Sequence, residues 1–401
     1  MTDENSGVLT AGYDGTLRAL DSKTLEIKRS VKLREMEHFS DMKLDPEGCK
    51  LFLGAVSGHI SALDLETGLL ASATTDSLEL VHKMVLDRSR NSIVVSGHDF
   101  HAEVFHMGSL SYSLRILGPV DDDIVDLVVS KRNSTIIIGS ASGSLIERDL
   151  DTGKLLKRVL VPNYLKGFLD QGGISSLHCD DDYGVLLTGC YKPGLVRGLM
   201  LNSLEIARIW ELPNEFSMKR GAITEIAAIP SRETFVFGDS NGHLCVAGYD
   251  SDELRRYWRN EESAITTIQV FNKRRELLVG YRNGRAEVYS TDNWKLKAEG
   301  NVHRGPIVGA ISLPIGFLAL SSEDMYQDDY AKESYSDTAK CVECEEQVER
   351  LFWLCPECGE RVYSTRCPSC RTKSRRFIRR DRWYGKCCNC GYDATELRLG
   401  R

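Results

Sequence analysis

The sequence predicts an all-β fold, in which a seven-bladed β-propeller is followed by a small cysteine-rich domain. Two observations lead to this prediction. A pattern of short apolar strands around a glycine-containing turn recurs seven times within residues 1–321. Nine of the 13 cysteines then fall between Cys341 and Cys390. The intervening residues 322–340 are acidic and almost free of large aliphatic side chains, so we expect a flexible linker between a propeller (1–321) and a C-terminal domain (341–401).

The repeat has the period of a propeller blade. Its first glycines are spaced by 42, 43, 42, 50, 49 and 42 residues and are Gly12, Gly54, Gly97, Gly139, Gly189, Gly238 and Gly280. A period in the low forties with four strands per unit is typical of propeller blades. The turns Asp14-Gly15, Asn241-Gly242 and Asn283-Gly284 favour two-residue hairpins, because Asn, Asp and Gly accept positive φ.

Closure of the ring requires a strand from the far end of the repeat region. The first copy begins at Val8, already in its second strand, with no inner strand before it. We expect Ile307–Leu313 to supply the missing inner strand. The ring would then close by packing residues 305–321 against residues 7–20, which covers edges that would otherwise be exposed.

The best-formed copy, FSDMKLDPEGCKLFLGAVSGHISALDLETG at residues 39–68, resembles a repeat of the WD40-like propellers. The resemblance extends over roughly residues 7–321, although no blade carries the Trp-Asp dipeptide. The blades are equally similar to quinoprotein-type propellers. The WD40-like resemblance implies that the face built from inter-blade loops binds proteins or peptides. A quinoprotein-type enzyme would normally be exported, whereas this chain begins MTDENSGVLT, which is not a secretory signal.

The C-terminal cysteines have the spacing of zinc ligands. They form four Cys-x-x-Cys pairs, and these are Cys341 with Cys344, Cys355 with Cys358, Cys367 with Cys370, and Cys387 with Cys390. Each pair can present two thiolates to a tetrahedral metal, and structural zinc takes four such ligands. We therefore expect two structural Zn²⁺ ions in a double zinc ribbon. Sequential pairing of the first two and the last two pairs is favoured over a cross-braced arrangement.

A cross-braced pairing would resemble a RING finger and would imply a ubiquitin-ligase-type component. RING spacing brings the second and third ligand pairs within two or three residues, but eight residues separate Cys358 from Cys367 here. No histidine is interleaved among the ligands. Four-thiolate sites also leave no open coordination position, so we expect the zinc ions to stabilise the fold rather than to catalyse a reaction.

A basic and aromatic stretch within the ribbon is the strongest candidate for nucleic-acid contact. Residues 371–386 contain eight Lys and Arg side chains. In this hypothesis Arg375, Arg376, Arg379 and Arg380 bind phosphates and Trp383 stacks on a base. Alternatively, the segment is a hairpin whose arginines stay solvated and offset the negative zinc-thiolate centres, or it binds an acidic protein surface.

The sequence as a whole favours a non-enzymatic interaction scaffold, an adaptor subunit of a hetero-complex in a reducing, cytoplasmic compartment. Hydrophobic residues make up 42% and charged residues 27%, as in soluble globular proteins. The longest apolar stretch, Pro306–Leu320, is too short to span a bilayer. No catalytic motif is visible, so we expect no enzyme activity. The alternatives are a nucleic-acid-binding factor that uses residues 371–386 and a RING-like ligase component.

Overall fold

A computed structural model describes residues 6–314, apart from 34–37, 46–48, 66, 68, 76–80, 98–100, 118–123, 162–172, 192–193, 213–220, 230–231 and 260–262. Beyond residue 314 it describes the backbone of the short strands at 325–327, 338–340, 347–349, 378–379 and 382–383.

The described chain forms seven antiparallel sheets arranged as blades, which confirms the predicted seven-bladed propeller. Blades 1 to 3 contain β1 (Ser6–Gly12), β2 (Thr16–Asp21), β3 (Ile27–Leu33), β4 (Phe39–Asp45), β5 (Lys50–Ala55), β6 (His59–Asp64), β7 (Leu70–Thr74), β8 (Lys83–Asp87), β9 (Ser92–Ser96), β10 (His101–His106) and β11 (Tyr112–Leu117). Blades 4 and 5 contain β12 (Ile124–Ser130), β13 (Thr135–Ser140), β14 (Ser144–Asp149), β15 (Leu155–Leu160), β16 (Ile174–Asp180), β17 (Val185–Cys190), β18 (Leu195–Met200) and β19 (Ile206–Glu211). Blades 6 and 7 contain β20 (Ile223–Ile229), β21 (Thr234–Asp239), β22 (His243–Gly248), β23 (Leu254–Arg259), β24 (Ile265–Phe271), β25 (Glu276–Tyr281), β26 (Arg285–Ser290) and β27 (Leu296–Asn301), and β28 (Ile307–Pro314) follows. One-turn 3-10 helices lie at Arg88–Arg90 and Asn272–Arg274.

Strand β28 closes the ring as the sequence predicts. It is the inner strand of blade 1 and pairs antiparallel with β1, with Val8 opposite Ser312 and Ala11 opposite Gly309. The amide of Tyr13 also donates to the carbonyl of Pro306, at 2.8 Å. The first and last parts of the propeller are therefore held in one sheet by a continuous ladder of backbone hydrogen bonds.

The core is divided among the interfaces between neighbouring blades. The described residues form seven apolar clusters, one for each pair of adjacent blades, including the pair formed by blades 7 and 1. Between blades 5 and 6, for example, the rings of Trp210 and Phe235 pack edge to face with centroids 4.8 Å apart. Every blade thus buries both of its faces, which is why no single blade carries a complete core.

The repeated glycine permits this close packing. A Cβ on Gly238 would lie 2.7 Å from Cγ2 of Ile265, the first residue of the next inner strand.

The strand pairing also corrects the sequence alignment of two blades. Gly54 lies opposite Ile60, and the residues paired in the same way in blades 1 and 3 are Ala11 and Ser96, one position before Gly12 and Gly97.

In blades 1, 6 and 7, the turn after the second strand differs from the predicted two-residue hairpin, because only its glycine has positive φ. In blade 1 the amide of Gly15 donates to the carbonyl of Gly12, and Gly15 has φ of 76°. Asp14 does not have positive φ; its carboxylate instead accepts a hydrogen bond from the amide of Thr16 at 3.1 Å. The Asp thus stabilises the turn through its side chain, while the glycine alone supplies the left-handed conformation.

Beyond β28, the described residues form short paired strands. Strand β29 (Met325–Gln327) adds to the outer edge of β3. Strands β30 (Thr338–Lys340) and β31 (Gln347–Glu349) pair with each other, as do β32 (Ile378–Arg379) and β33 (Arg382–Trp383). The chain divides into two units, Met1–Tyr335 and Ser336–Arg401. Within the part described, no helix has the length and apolar character needed to cross a membrane.

Candidate functional site

The inner strands of four blades place an ionisable residue at the same position along the central channel. These residues are Asp41, Lys83, Asp126 and Glu225, and together with Lys43 we call them the channel cluster. The three acidic residues each follow a bulge in the pairing of the inner strand with its neighbour. Because a bulge re-aims the side chain that follows it, the local irregularity directs these carboxylates towards the neighbouring blades.

Two of the carboxylates connect neighbouring blades. The Oδ2 atom of Asp41 accepts a hydrogen bond from the amide of Met84 in blade 3, at 2.7 Å. In the same way, Asp126 Oδ2 accepts from the amide of Leu177 in blade 5, at 2.7 Å. Each carboxylate also accepts from the amide of the residue that follows it. These two side chains therefore fix the relative positions of adjacent inner strands.

Lys83 joins the cluster across the channel. Its Nζ lies 3.7 Å from Asp126 Oδ1 in blade 4 and 3.8 Å from Glu225 Oε2 in blade 6. Burial alone would lower the pKa of Lys83, but Asp126, Glu225 and Asp41 outweigh it and raise the pKa above its usual value. Burial raises the pKa of Glu225, and Lys83 offsets only part of that effect. A permanently charged ammonium thus holds together carboxylates from blades on opposite sides of the channel.

Two further titratable groups near the cluster, His178 and Cys179, are held in their neutral forms. Burial lowers the pKa of His178, whose Nε2 lies 3.3 Å from the amide of Ala228. Burial and the nearby Asp181 raise the pKa of the Cys179 thiol to about 12. Among the residues that the structure describes, no group of three or more His, Cys, Asp or Glu side chains could hold a metal ion. The chemistry available here is ion pairing and hydrogen bonding between blades.

Replacing Lys83 with methionine should destabilise the propeller by about 1–3 kcal/mol at neutral pH. It would leave Asp126 and Glu225 without their shared cation. The side chain of Glu225 is 25% exposed, which reduces the cost below that of a fully buried unpaired charge. Glu225 would then bind a proton more readily in the folded state than in the unfolded state. The deficit should therefore shrink as the pH falls from 7 towards 5.

Urea unfolding of both proteins at pH 5, 7 and 8 measures this effect. Lys28→Met is the control, because Lys28 is 42% exposed and its ion pair with Glu26 lies in solvent; its cost should stay within about 0.5 kcal/mol. Equal costs for the two variants, or a Lys83→Met deficit that does not change with pH, would contradict the assignment of Lys83 as the cation of the cluster.

A second polar network, which we call the closing network, lies where blades 7 and 1 meet. It consists of Thr10, Asp14, Arg18 and His303. The Nη1 atom of Arg18 donates to Asp14 Oδ2 at 2.9 Å and to the carbonyl of Val302 at 2.7 Å. His303 Nδ1 lies 3.2 Å from Asp14 Oδ1, and its Nε2 lies 2.9 Å from Thr10 Oγ1.

The electrostatics of this network are dominated by Asp14. Burial alone would raise the pKa of Asp14, but His303 and Arg18 outweigh burial and lower it far below the usual value. The side chains of Arg18 and His303 are themselves completely buried. The network therefore ties the closing segment before β28 to the β1–β2 hairpin through charged groups that are shielded from water.

The predicted zinc ligands all lie outside the residues that the structure describes, so the two zinc sites stay a prediction. The same holds for the favoured pairing of the ligands into two sequential sets of four. The eight cysteines in question are Cys341, Cys344, Cys355, Cys358, Cys367, Cys370, Cys387 and Cys390.

The predicted nucleic-acid contacts are described only in part. Arg375, Arg376 and Arg380 also lie outside the described residues. The backbone of Arg379 lies in β32, opposite Arg382, and that of Trp383 lies in β33, opposite Ile378. Residues 371–386 thus contain a short hairpin, as one of the alternatives for this segment expects.

Sequence reasoning missed both the channel cluster and the closing network. The signal for the first was present, because Asp41 and Asp126 occupy the same place in FSDMKLD and IVDLVVS. The second gave little signal, since Asp14 and His303 are separated by 289 residues.

The chain matches no protein-family model, and no curated protein matches it.

Proposed function

We propose that this protein is a non-enzymatic interaction scaffold, whose propeller and zinc ribbon both bind partners within a larger complex. The observation that carries the proposal is a group of three exposed leucines on the outer strand of blade 4, where the exposed Arg158 lies between Leu156 and Leu160. The outer strand β15 exposes Leu155 (47%), Leu156 (51%) and Leu160 (65%). In the part of the chain that the structure describes, no other outer strand exposes more than one large apolar side chain.

These leucines lie on a strand whose outer edge pairs with no other strand of the described residues. The sheet of blade 4 has the order β12-β13-β14-β15, with β15 at its edge. Exposed edges with apolar side chains favour association with another chain, and natural proteins usually shield them. In blade 1 the corresponding edge strand, β3, carries the additional strand β29. A partner strand could add to blade 4 in the same geometry.

The charged and titratable residues of the channel also support the proposal of a non-enzymatic scaffold. The charged residues of the channel are engaged with each other and with backbone amides of adjacent blades, and the Cys179 thiol, whose pKa is raised, is protonated at neutral pH. A nucleophile needs a lowered pKa or an adjacent base, so these groups favour a structural role. A WD40-like propeller with a double zinc ribbon agrees with such a scaffold.

Affinity purification of the tagged protein from its own cells tests the proposal. We expect a stoichiometric protein partner that survives nuclease treatment and is lost from the Leu155→Ser/Leu160→Ser variant. The control, Leu69→Ser/Leu296→Ser, removes two comparably exposed leucines from other blades and should retain the partner. Retention of the partner by both variants would remove blade 4 from the interface, and the absence of any stoichiometric protein would contradict the scaffold.

Nucleic-acid binding through the ribbon is a second candidate function. The β32–β33 hairpin brings the backbones of Arg379 and Arg382 opposite each other within a stretch of eight basic residues. Arginines clustered in this way suit phosphate groups. Recovery of nucleic acid alone, lost on replacing Arg375, Arg376, Arg379 and Arg380 with alanine, would favour this function over the scaffold.

A further inference from the structure

The outer edge of blade 1 carries a strand from outside the seven repeats. Strand β29 pairs antiparallel with β3, with Tyr326 opposite Lys32. Among the blades that the structure describes, blade 1 is the one whose sheet has five strands. Addition of a strand to a sheet edge is also how many domains bind extended peptides, because the main chain of the peptide continues the hydrogen-bond ladder. Blade 1 therefore has an edge that accepts an added strand, and a segment of the same chain occupies it.

The charges of the two strands indicate which kind of segment fits this edge. Strand β3 reads IKRSVKL and contains Lys28, Arg29 and Lys32 but no acidic residue. The segment that supplies β29, residues 322–330, reads SEDMYQDDY and contains four acidic residues but no basic one. All extended segments offer the same backbone groups to a sheet edge, whereas complementary charge selects among them and speeds their association. The pairing of β3 with β29 thus combines a basic edge with an acidic segment.

Blade 1 does not need β29 in order to stay folded. Three positions of β29 pair with β3, whereas seven positions of β1 pair with β28, the strand that closes the ring. The side chains of Val31 and Leu33 on β3 are buried in the apolar cluster between blades 1 and 2. A short ladder at the edge of a sheet opens at a lower free energy than strands that are packed in the core. Strand β29 can therefore leave the edge while β3 keeps its place.

We propose that the outer edge of blade 1 binds an acidic extended segment of another protein, and that β29 occupies this edge until such a segment replaces it. The chain's own segment identifies the class of ligand, because it is acidic and pairs with β3 through its backbone. Occupation by β29 lowers the apparent affinity for a partner to the fraction of molecules whose edge is open. The site lies on a different blade from the exposed leucines of β15, and it stands whether or not those leucines bind a partner.

Fluorescence anisotropy of a labelled SEDMYQDDY peptide tests the site on the full-length protein. Successive amides of a strand point to opposite edges, so Tyr326→Pro/Gln327→Pro removes one donor that faces β3 and releases β29. This proline variant should bind the peptide about tenfold more tightly than the wild type. The control, Ser334→Pro/Tyr335→Pro, places two prolines outside β29 and should bind like the wild type. A peptide with Asn and Gln in place of its acidic residues should bind the proline variant about tenfold more weakly.

Charge reversal within the proline variant locates the bound peptide. Arg29→Glu/Lys32→Glu on β3 should abolish binding. The control, Lys157→Glu/Arg158→Glu on β15, also changes one exposed and one half-buried cation and should retain it. The proposal is overturned if the proline variant binds the peptide no more tightly than the wild type, or if the two charge reversals act equally. It is also overturned if light scattering shows a wild-type dimer that the prolines abolish, because the occupant would then be a second copy of this chain.

Discussion

Replacing Asp14 with asparagine should lower the free energy of unfolding by about 3–5 kcal/mol, the cost typical of removing one partner from a buried ion pair. Asparagine keeps the shape of the side chain but leaves the guanidinium of Arg18, which is completely buried, without its counter-charge. It also weakens the hydrogen bond from the amide of Arg304, at 3.0 Å, that holds the closing segment. Urea unfolding at pH 7, followed by tryptophan fluorescence, measures the loss.

The pH dependence gives this prediction a distinct signature. Because the pKa of Asp14 is lowered in the folded state, its contribution is complete above its unfolded value of about 4 and is lost as the pH falls below it. The wild type should therefore lose stability below pH 4 more steeply than Asp14→Asn. Asp252→Asn, which removes a 64% exposed carboxylate, is the control and should cost less than about 0.5 kcal/mol. A cost equal to that of the control would exclude the closing network as a major source of stability.

Removal of zinc should unfold the C-terminal unit, Ser336–Arg401, and leave the propeller folded. Structural zinc contributes about 10–16 kcal/mol in zinc-finger peptides, far more than a core of this size supplies. We expect two zinc ions per chain by metal analysis of the purified protein. Cys367→Ser should reduce this to one ion, whereas Cys388→Ser, which changes the ninth cysteine of the region, should retain both. A chain purified without zinc under reducing conditions would refute the predicted sites.

Paired substitutions distinguish the two arrangements of ligands. If the first two cysteine pairs share one ion, Cys341→Ser/Cys358→Ser should lose one zinc and Cys341→Ser/Cys367→Ser should lose two. A cross-braced arrangement reverses these results, because Cys341 and Cys367 would then bind the same ion. The measurement separates the ribbon from the RING-like alternative without any assay of activity.

The sequence predicted the ring well because its signals are local and repeated. The repeat pattern of each blade can be recognised within about forty residues of sequence. The lack of an inner strand before β1 indicated that a strand such as β28 must pair with it. The turn chemistry was predicted less well, because Asp14 satisfies the backbone with its side chain instead of adopting positive φ. The alignment of Gly12 and Gly97 was off by one position, since only strand pairing shows which residue meets the next blade.

The candidate site was beyond sequence reasoning for a different reason. Lys83 meets Glu225 only because the curvature of seven blades brings blade 3 and blade 6 to the same channel. Neither residue belongs to a motif, and a lysine on an alternating strand is usually solvated.

The pairing of β28 with β1 also determines when blade 1 can be completed during synthesis of the chain. Strand β1 leaves the ribosome early, yet Leu313, which pairs with Gly7, is made roughly 300 residues later. At about 5–20 residues per second, the growing chain must keep the edge of β1 uncovered for about 15–60 s. Blades 2 to 7 can assemble on one another during that interval, whereas blade 1 can be completed only when β28 emerges. A chain that terminates before residue 307 therefore lacks β28 and cannot complete its first blade.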